Sequence, residues 1–533
     1  MKRIISFLLC LVMMTGLLAS CGSSDPVVLF FAVENAAGSF DPQIVSDATA
    51  SIVVRNCFEG LVRRDENGDI VNGVAKSWSV SEDGLKYTFK LREDAVWHLT
   101  SNAKEKLGEK LPEDFDLSVT AYDFQFALRR AVDPATGAHL SYMLYNIENA
   151  PEILDGRLAP EELGVRAVDK YTLEITLSQP QSNFPEVLTE PVCMPCNETF
   201  FKGCSGRYGT LIAFSLSNGP FYLSRFDESS YRINKAADYC GESVAVPDYV
   251  WLYVVDSEER LLEVLESDAY SGGLVKAEVY EKLNVSKRMT VTETANTVKG
   301  FIMNLSDSVM GEENIRKALL AATDTGAVAN NMGEEQAKGI IPPVVEKTAV
   351  EHPVAYSEEK AVVYLENGLS RLETASIDIS VLCEKEDEDT VRRVMQEWQR
   401  ILGIRVKFSV RTAEKAKLEQ AVKSGNYQVA LYNLRCETDE AYEYFGSFTA
   451  GSPLNVTKFD GFGMEELIAK LYTSDEKGFL SVYSSIESKL YSASLIIPVC
   501  NENTYFVCTR DVRDVIYFSG NDKLYFHKAT NVK

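Results

Sequence analysis

An α/β fold with more than one domain is predicted by three features of the sequence. Segments in which apolar and polar residues alternate, as in half-buried strands, occur between segments with helical spacing of apolar residues. In the second half of the chain, helices lead into strands through a glycine, which is typical of α/β units. The chain has 533 residues, whereas a single hydrophobic core stops growing near about 250–300 residues. Two or three domains are therefore expected.

The N-terminus has the pattern of a secretory signal. Lys2 and Arg3 precede an apolar run, Ile4 to Ser20, that ends in small residues before Cys21. A transmembrane helix is the alternative, but it needs about 20 apolar residues. This run is marginal for that length, and the polar segment 22–25 follows at once. We predict that residues 1–20 are a signal peptide and that the mature chain begins at Cys21.

Composition excludes some partners. The net charge is −24 and becomes more negative when Lys2 and Arg3 leave with the signal, so nucleic acid is a poor partner for this surface. No second long apolar run follows the signal. We therefore expect a soluble globular body behind the N-terminus.

The cysteines allow several interpretations. Cys10 lies in the predicted signal, and nine cysteines follow Cys21, so at least one of them is free or paired between chains. Cys193, Cys196 and Cys204 resemble half of a zinc site, but no histidine lies near them and structural zinc takes four ligands. A local disulfide or plain thiols are the favoured alternatives, and we expect no metal.

Several elements are readable before any resemblance is considered. Residues 87–91 and 171–177 alternate as strands, and a helix with Thr120 as N-cap and Asp123 as capping-box acid lies between them. Later, a helix over 391–402 ends at Gly403 and leads into a strand over 404–410. Another helix is predicted at 315–322, and the charged stretch 101–113 is interpreted as a linker.

Motifs of common enzyme chemistry are missing from the sequence. The four histidines form no H-E-x-x-H pattern, and neither a G-x-S-x-G elbow nor a phosphate-binding G-x-x-x-x-G-K-[ST] loop occurs. Gly461-Phe462-Gly463 lacks the third glycine of a dinucleotide fingerprint. We expect a protein that is not an enzyme and needs no cofactor.

A dense series of motifs over residues 40–225 resembles the extracellular solute-binding proteins of the oligopeptide and dipeptide uptake systems. The motifs occur in the order of that family, and fainter ones follow at 341–343, 398–410 and 496–498. The main ones are Cys57-Phe58-Glu59-Gly60-Leu61, Gly73-Val74-Ala75, Val119-Thr120-Ala121-Tyr122-Asp123-Phe124, Asn149-Ala150, Leu163-Gly164-Val165 and Ser217-Asn218-Gly219-Pro220-Phe221.

The resemblance implies a periplasmic-binding-protein-like α/β fold, in which two α/β lobes are joined by a hinge and carry an extra inserted lobe. Lobe I would comprise residues 21–55, 180–255 and 500–533. Lobe II would be the insertion 56–179, and lobe III would span 256–499. The ligand would lie between lobes I and III, which close on the hinge.

The same resemblance implies a function. The chain would be a monomeric, lipid-anchored component of an ABC importer that captures oligopeptides and delivers them to the permease subunits. Cys21 would carry the lipid on the extracytoplasmic face of the cell membrane. Asn218 and Gly219 are candidate residues of the ligand cleft. Nickel, opine and oligosaccharide binders share the fold, so a non-peptide solute remains an alternative, as does a lipoprotein with a sensing or chaperone role.

Relatives that bind peptides hold the ligand's α-amino group with a third-lobe carboxylate. The aromatic pair downstream of that aspartate aligns with residues 444–448 and places Glu437 in its position. Asp439 and Glu440 are the alternatives if the alignment shifts. The family's aspartate–tyrosine–aspartate–proline signature is absent here, and a solvated acidic turn beside Arg435 is the other interpretation of this segment.

Overall fold

A computed structural model shows the fold of most of the chain. The described residues are 26–33, 36–45, 47–181, 183–255, 257–267, 270–283, 288–347, 355–436, 441–450, 452, 454–461, 463–474, 476–518 and 523–532. Within these ranges, no helix has the length and apolarity that crossing a bilayer requires. Cys21, Glu437, Asp439 and Glu440 lie outside the described residues.

Strands and helices mix along the whole described chain. Its twenty strands are β1 (Val28–Val33), β2 (Val62–Arg64), β3 (Ile70–Asn72), β4 (Ala75–Val80), β5 (Lys86–Leu91), β6 (Val165–Asp169), β7 (Thr172–Thr176), β8 (Phe221–Asp227), β9 (Ser230–Lys235), β10 (Tyr249–Val254), β11 (Gly272–Lys276), β12 (Met289–Met303), β13 (Ile377–Glu384), β14 (Val406–Ala413), β15 (Val429–Arg435), β16 (Ile496–Thr509), β17 (Val512–Arg513), β18 (Ile516–Phe518), β19 (Lys523–Tyr525) and β20 (Thr530–Asn531). Its sixteen α-helices are α1 (Ala48–Cys57), α2 (Ser101–Leu107), α3 (Ala121–Val132), α4 (Ala150–Leu154), α5 (Phe184–Val187), α6 (Glu198–Gly203), α7 (Glu258–Glu266), α8 (Ala277–Lys282), α9 (Glu313–Ala321), α10 (Thr325–Met332), α11 (Glu358–Arg371), α12 (Glu388–Leu402), α13 (Lys415–Lys423), α14 (Ala441–Gly446), α15 (Met464–Thr473) and α16 (Glu476–Ser492).

A ten-stranded sheet organises the molecule. Its strand order is β14-β13-β15-β12-β16-β11-β1-β10-β9-β8. The two longest strands, β12 and β16, run antiparallel at its centre and are shared by both halves of the sheet. A separate four-stranded sheet has the order β4-β5-β7-β6. The observed architecture confirms the predicted α/β class.

The half of the sheet formed by β12 to β16 is covered on both faces. Along β12, Phe301 and Met303 belong to one hydrophobic cluster, whereas Ile302 between them belongs to another. Successive side chains of a strand point to opposite faces, so the two clusters lie on opposite sides of the sheet. The first contains apolar residues of α9, α11 and α12, and the second contains residues of α13 to α16.

The other half of the sheet shares its core with the four-stranded sheet. One continuous cluster contains Phe31 of β1, Leu252 of β10, and Phe89 and Leu173 of the smaller sheet. Two further helices, α7 and α8, pack with Ala32 of β1 in a smaller cluster on the opposite face. The segment 258–283 is therefore packed against β1. The lobe boundaries drawn from the sequence stay a prediction.

Most local predictions are confirmed by the structure. Strands β5 and β7 occur where alternation predicted them, and α3 begins at Thr120 with the capping box to Asp123. The residues that α12 buries are spaced for one helical face, and at Gly403 the backbone has φ 74°, which glycine adopts without strain. Strand β14 starts two residues later than predicted, at Val406.

The linker predicted at 101–113 is wrong. Residues 101–107 form α2, which Thr100 caps by accepting a hydrogen bond from the Ala103 amide at 3.1 Å. Ala103 and Leu107 are four residues apart, lie on one face and are fully buried. This short apolar face packs near residues 212–214. The many charges around it lie on the solvent side, which is why composition alone resembled a linker.

Candidate ligand-binding cleft

The junction between the two halves of the large sheet is built from β12 and β16. The N-terminal part of β12 pairs with residues 504–509 of β16, which also pairs with β11. The C-terminal part of β12 pairs with residues 496–502 of β16 on one side and with β15 on the other. The β12–β16 register is irregular between Thr294 and Thr297, and again between Lys299 and Gly300. Such irregularities bend and twist a strand pair, so this is where the two halves can change their angle.

Two strands on opposite sides of this junction end toward each other. Strand β1 is parallel to β11, and β15 is antiparallel to β12, so β1 and β15 point in opposite directions. Ala32 of β1 is aligned with Val291 of β12 through the paired residues of β11 and β16 that lie between them. Arg435 at the end of β15 pairs with Thr297 of β12. Both strand ends therefore face the middle of β12. Ligands of open α/β sheets bind outside the carboxyl ends of strands.

Strand β15 pairs with its two neighbours over different lengths. On one side it pairs with β12 over its full length, but on the other side it pairs with β13 only at Val429 and Ala430. The remaining edge, from Leu431 to Arg435, runs toward the junction. An extended chain can add to such an edge as a further strand.

Buried polar side chains occupy the middle of β12. Thr294 and Asn296 are almost completely buried, and the Thr294 hydroxyl lies 2.8 Å from the hydroxyl of Tyr517. The carbonyl oxygen of Asn296 accepts a hydrogen bond from the Cys436 amide at 3.0 Å. The segment that follows β15 is therefore held against β12 up to Cys436, immediately before Glu437.

A charged cluster connects both central strands with the helical layer. Nζ of Lys299 on β12 lies 2.9 Å from Asp387 and 3.3 Å from Glu502 of β16. Asn433 of β15 donates a hydrogen bond to Glu502 at 2.5 Å. Burial alone would lower the pKa of Lys299, but the two carboxylates outweigh burial and raise it. No sequence pattern predicted this cluster, since its four members come from four segments that are distant in the sequence.

Beside this cluster, the strand ends carry acidic side chains. Glu384 is the last residue of β13, and burial raises its pKa above the usual value. A raised pKa means that this carboxyl loses its charge more readily than an exposed one, so a cation placed beside it would stabilise the ionised form.

Asn218 and Gly219, predicted as cleft residues, lie against the end of α1. The side-chain oxygen of Asn218 accepts a hydrogen bond from the backbone N–H of Glu59 at 3.1 Å, and its side-chain nitrogen donates one to the backbone carbonyl of Glu59 at 2.8 Å. A Cβ on Gly219 would lie 2.8 Å from backbone atoms of Cys57 and Phe58. These contacts account for both residues through packing, and a ligand contact at either stays a prediction.

Several motif residues converge on one buried carboxylate. Glu59 accepts hydrogen bonds from Arg92 at 2.5 Å and from the Tyr239 hydroxyl at 2.6 Å. Asn218 holds the backbone of the same residue, as described above. The motifs that marked the resemblance thus join α1, the four-stranded sheet and the approach to β8. They act in the scaffold of the fold rather than at the junction.

The cysteine cluster is a group of thiols. Cys193, Cys196 and Cys204 are buried and unoxidised, as are Cys57, Cys383, Cys436, Cys500 and Cys508, while Cys240 is exposed. Burial raises the pKa of Cys204 to about 12, so this thiol stays protonated at neutral pH. In the described part of the chain, no group of three or more His, Cys, Asp or Glu side chains is arranged to hold a metal ion.

Known proteins share this architecture over nearly the whole chain. The dipeptide-binding protein DppE of Bacillus subtilis is 25% identical over 509 residues, covering 93% of this chain and 90% of its own. The periplasmic oligopeptide-binding protein OppA of Escherichia coli is 24% identical, covering 91% and 88%. The peptide-bound structure of Listeria monocytogenes OppA superimposes with a TM-score of 0.78 at 22% identity, covering 96% of this chain and all of that one.

The family comparison agrees with these similarities. The model described as bacterial extracellular solute-binding proteins, family 5 Middle, matches residues 69–455. That range includes the four-stranded sheet, the central strand β12 and the whole of β15. The chain therefore belongs to the bacterial extracellular solute-binding proteins of family 5.

Proposed function

We propose that this protein is the extracytoplasmic substrate-binding component of an ABC importer, and that it captures short peptides and passes them to the permease subunits. The observation that carries the proposal is the pair of strand ends facing each other across β12 and β16; one of them belongs to β15, whose ladder with β13 covers only Val429 and Ala430. A peptide that adds beside a strand is recognised through its main chain, which is common to all sequences. The named relatives, which bind dipeptides and oligopeptides, support the same solute class.

The proposed lobes follow the packing of the sheet. Lobe I comprises residues 21–55, 180–255 and 500–533, lobe II is the insertion 56–179, and lobe III lies within 256–499. Because the segment 258–283 packs against β1, we place it with lobe I and begin lobe III at β12. Residues 289–303 and 496–509 then form the hinge. The protein acts as a monomer and catalyses no reaction.

Peptide binding is tested by thermal unfolding of the mature chain after any copurified ligand has been removed. A mixed peptide pool should raise the melting temperature, since a ligand at a thousand times its dissociation constant adds about 4 kcal/mol. Free amino acids, nickel and oligosaccharides should have a smaller effect. If nickel or a sugar raises the melting temperature and peptides do not, the ligand is that solute and not a peptide. Mass spectrometry of the copurified ligand identifies the natural one.

Glu437 is the proposed partner of the peptide's α-amino group. In the sequence it immediately follows Cys436, whose amide donates a hydrogen bond to the Asn296 carbonyl at the junction. An ammonium group enclosed by the two lobes needs such a partner, because an unpaired buried charge costs several kcal/mol. Asp439 and Glu440 are the alternative anchors.

Three isosteric variants locate the anchor. Glu437→Gln should weaken binding of free-amine peptides and should remove most of the discrimination against N-acetylated ones, while Glu359→Gln, on the exposed face of α11, should bind as the wild type does. If Glu437→Gln keeps full affinity, the same measurement on Asp439→Asn and Glu440→Gln decides between the alternatives. Unchanged affinity in all three would remove the acidic segment from the binding site.

Cys21 is the proposed site of lipid attachment, which holds the protein at the outer face of the cell membrane. Its support is the sequence pattern alone, since the residue lies before the described chain. The mature N-terminus of the wild type, determined by mass spectrometry, should be a diacylglycerol-modified Cys21. Cys21→Ala should abolish the modification. A mature chain that starts at another residue would refute the lipid anchor without affecting the proposed peptide site.

A further inference from the structure

One face of the large sheet presents aromatic and arginine side chains instead of packing into a core. In β1 and β10, Leu29, Phe31, Val250 and Leu252 are buried in the main hydrophobic cluster. Four residues that alternate with them, Phe30, Tyr249, Trp251 and Tyr253, are only half-buried and belong to no hydrophobic cluster of the described chain. Together with two arginines of β8 and β9 they form what we call the aromatic face: Phe30, Tyr249, Trp251, Tyr253, Arg225 and Arg232.

The pairing register brings these side chains side by side. Trp251 of β10 is opposite Phe30 of β1 on one side and Arg232 of β9 on the other, and Arg232 is opposite Arg225 of β8. The rings of Trp251 and Tyr253 stack at 5.4 Å. The guanidinium groups of Arg225 and Arg232 lie 5.4 and 5.3 Å from the centre of the Trp251 ring. The face is thus an ordered layer of rings capped by cations.

The charges of the aromatic face are not fully neutralised by the protein. Arg225 pairs with Asp227 at 2.6 Å. Arg232 donates a hydrogen bond to the Ser224 hydroxyl at 2.9 Å and forms no ion pair within the described residues. Three exposed acids lie near the ends of these strands: Glu228 between β8 and β9, Asp238 after β9, and Asp248 immediately before β10. In a chain with a net charge of −24, an arginine that lies over two aromatic rings and has no carboxylate partner among the described residues is unusual.

Among the described residues, the helices that cover this side of the sheet end at the edge of the aromatic face. Helices α7 and α8 pack over Ala32, Val275 and Val507. Tyr270, which precedes β11, contacts the edge of Tyr253 at 5.7 Å and marks the limit of that cover. Residues 22–25, which precede the face in the sequence, are Gly-Ser-Ser-Asp and include no large apolar side chain.

The predicted attachment point of the lipid is close to the aromatic face. The amide of Val27 donates to Asp248 at 2.8 Å, and Val28 pairs with Tyr249, the first residue of the face on β10. Four residues lie between Cys21 and Pro26, and the five steps from one to the other span at most about 18 Å when extended. An acyl chain on Cys21 would therefore hold Pro26, two residues before Val28, within about 18 Å of the attachment point.

We infer that the aromatic face lies on the membrane surface and orients the protein there, an inference that rests on the proposed lipid attachment at Cys21. Tryptophan and tyrosine rings are favoured at the headgroup level, where one end of the side chain is apolar and the other is hydrated. Arginine is attracted by the anionic lipids of the bilayer. The face, rather than a random surface, would contact the headgroups, and the hinge would keep one orientation relative to the membrane.

Tryptophan quenching tests the contact directly. The mature chain with Cys240→Ser is coupled through the residue 21 thiol to vesicles whose lipids carry bromine near the headgroup. Coupling by this route is independent of natural lipidation. Of the four tryptophans, Trp97 and Trp398 are fully buried, whereas Trp251 and Trp78 are partly exposed. We expect brominated lipid to reduce the emission of the parent and of Trp78→Phe. Trp251→Phe should lose this reduction.

Two results would overturn the inference. One is emission that brominated lipid does not change, and the other is equal quenching in Trp251→Phe and Trp78→Phe. A dimer that forms with increasing concentration and is lost in Trp251→Phe, without lipid quenching, would assign the face to a second copy of the chain.

The arginine contribution is tested with the uncoupled chain. Arg232→Gln should weaken partitioning to vesicles that contain anionic lipid by about fivefold, since one arginine near such a surface contributes about that factor. Arg371→Gln, an exposed arginine of α11, is the matched control and should leave partitioning unchanged. Equal partitioning of both variants would contradict a role for Arg232. The peptide-induced thermal shift should be the same in all these variants, so a failure here is distinguishable from a failure of the proposed peptide binding.

Discussion

Replacing Glu190 by glutamine should destabilise the protein strongly at neutral pH. This carboxylate lies between two cations, Arg55 of α1 at 2.6 Å and Lys523 of β19, and all three side chains are at most 7% exposed. The triad joins three segments that are distant in the sequence. Glutamine keeps the size of the side chain but leaves two buried positive charges without an anion.

The size of the effect follows from the pKa of Glu190. Burial by itself would raise this pKa, but the charges of Arg55 and Lys523 outweigh burial and lower it from 4.5 to about 2. A shift of about 2.5 units corresponds to roughly 3 kcal/mol of stability at neutral pH. Removing one partner of a buried ion pair typically costs about 3–5 kcal/mol, which is the same magnitude.

The pH dependence has a defined sign. Because the folded-state pKa is lowered, the contribution is fully present above pH 4.5 and is lost as the pH falls toward 2. The difference between wild type and Glu190→Gln, measured by urea unfolding, should therefore shrink by roughly half between pH 7 and pH 3. Glu66→Gln, which removes an exposed ion pair with Lys528, is the control and should change the urea midpoint little.

Two results would refute this reasoning. The first is a loss below about 1 kcal/mol for Glu190→Gln at pH 7, which is the magnitude of a surface pair. The second is a loss that stays constant down to pH 3. A triple variant, Arg55→Met with Glu190→Leu and Lys523→Met, should recover most of the stability, because apolar side chains of similar size leave no buried charge.

Further predictions concern the scaffold. Gly219→Ala should lower stability by about 1–3 kcal/mol in urea unfolding, since the new Cβ would lie 2.8 Å from backbone atoms. Gly38→Ala is the control and should be neutral, because no atom lies within 4 Å of its Cβ position. Equal effects of the two substitutions would contradict the close contact at Gly219. Burial lowers the pKa of His527 to about 4, so stability should fall by up to about 3 kcal/mol as the pH drops from 6.5 to 4, and His527→Gln should remove that dependence. Thr323→Val should cost about 1–3 kcal/mol, because Trp398 Nε1 loses its acceptor at 2.9 Å; a smaller change than in an exposed Thr→Val variant would argue against this bond.

Local patterns in the sequence were sufficient for several elements. The capping box of α3 and the apolar stripe of α12 depend on residues within one or two helical turns, so their periodicity identified both helices. Strands β5 and β7 were equally readable, because each has one buried face. The family resemblance rested on motifs whose residues, such as Glu59 and Asn218, stabilise the scaffold.

Local patterns were insufficient where solvent exposure and burial occur within a short segment. The stretch 101–113 has the composition of a linker, yet two side chains, Ala103 and Leu107, are buried and are enough to fix α2 against its neighbours. Asn218 was expected at the ligand because its motif is prominent. The structure shows its hydrogen bonds to the backbone of Glu59, and a ligand contact stays a prediction.

The sequence by itself determined the α/β class, the family and most strongly periodic elements. Only the tertiary structure decided which strands meet, and hence the junction at β12 and β16, the cluster around Lys299 and the triad at Glu190. Glu190 and Lys523 are separated by 333 residues, and each appears in the sequence as an ordinary charged residue. Periodicity reports which face of an element is buried, whereas the partner of a side chain is selected by the packing of the whole chain.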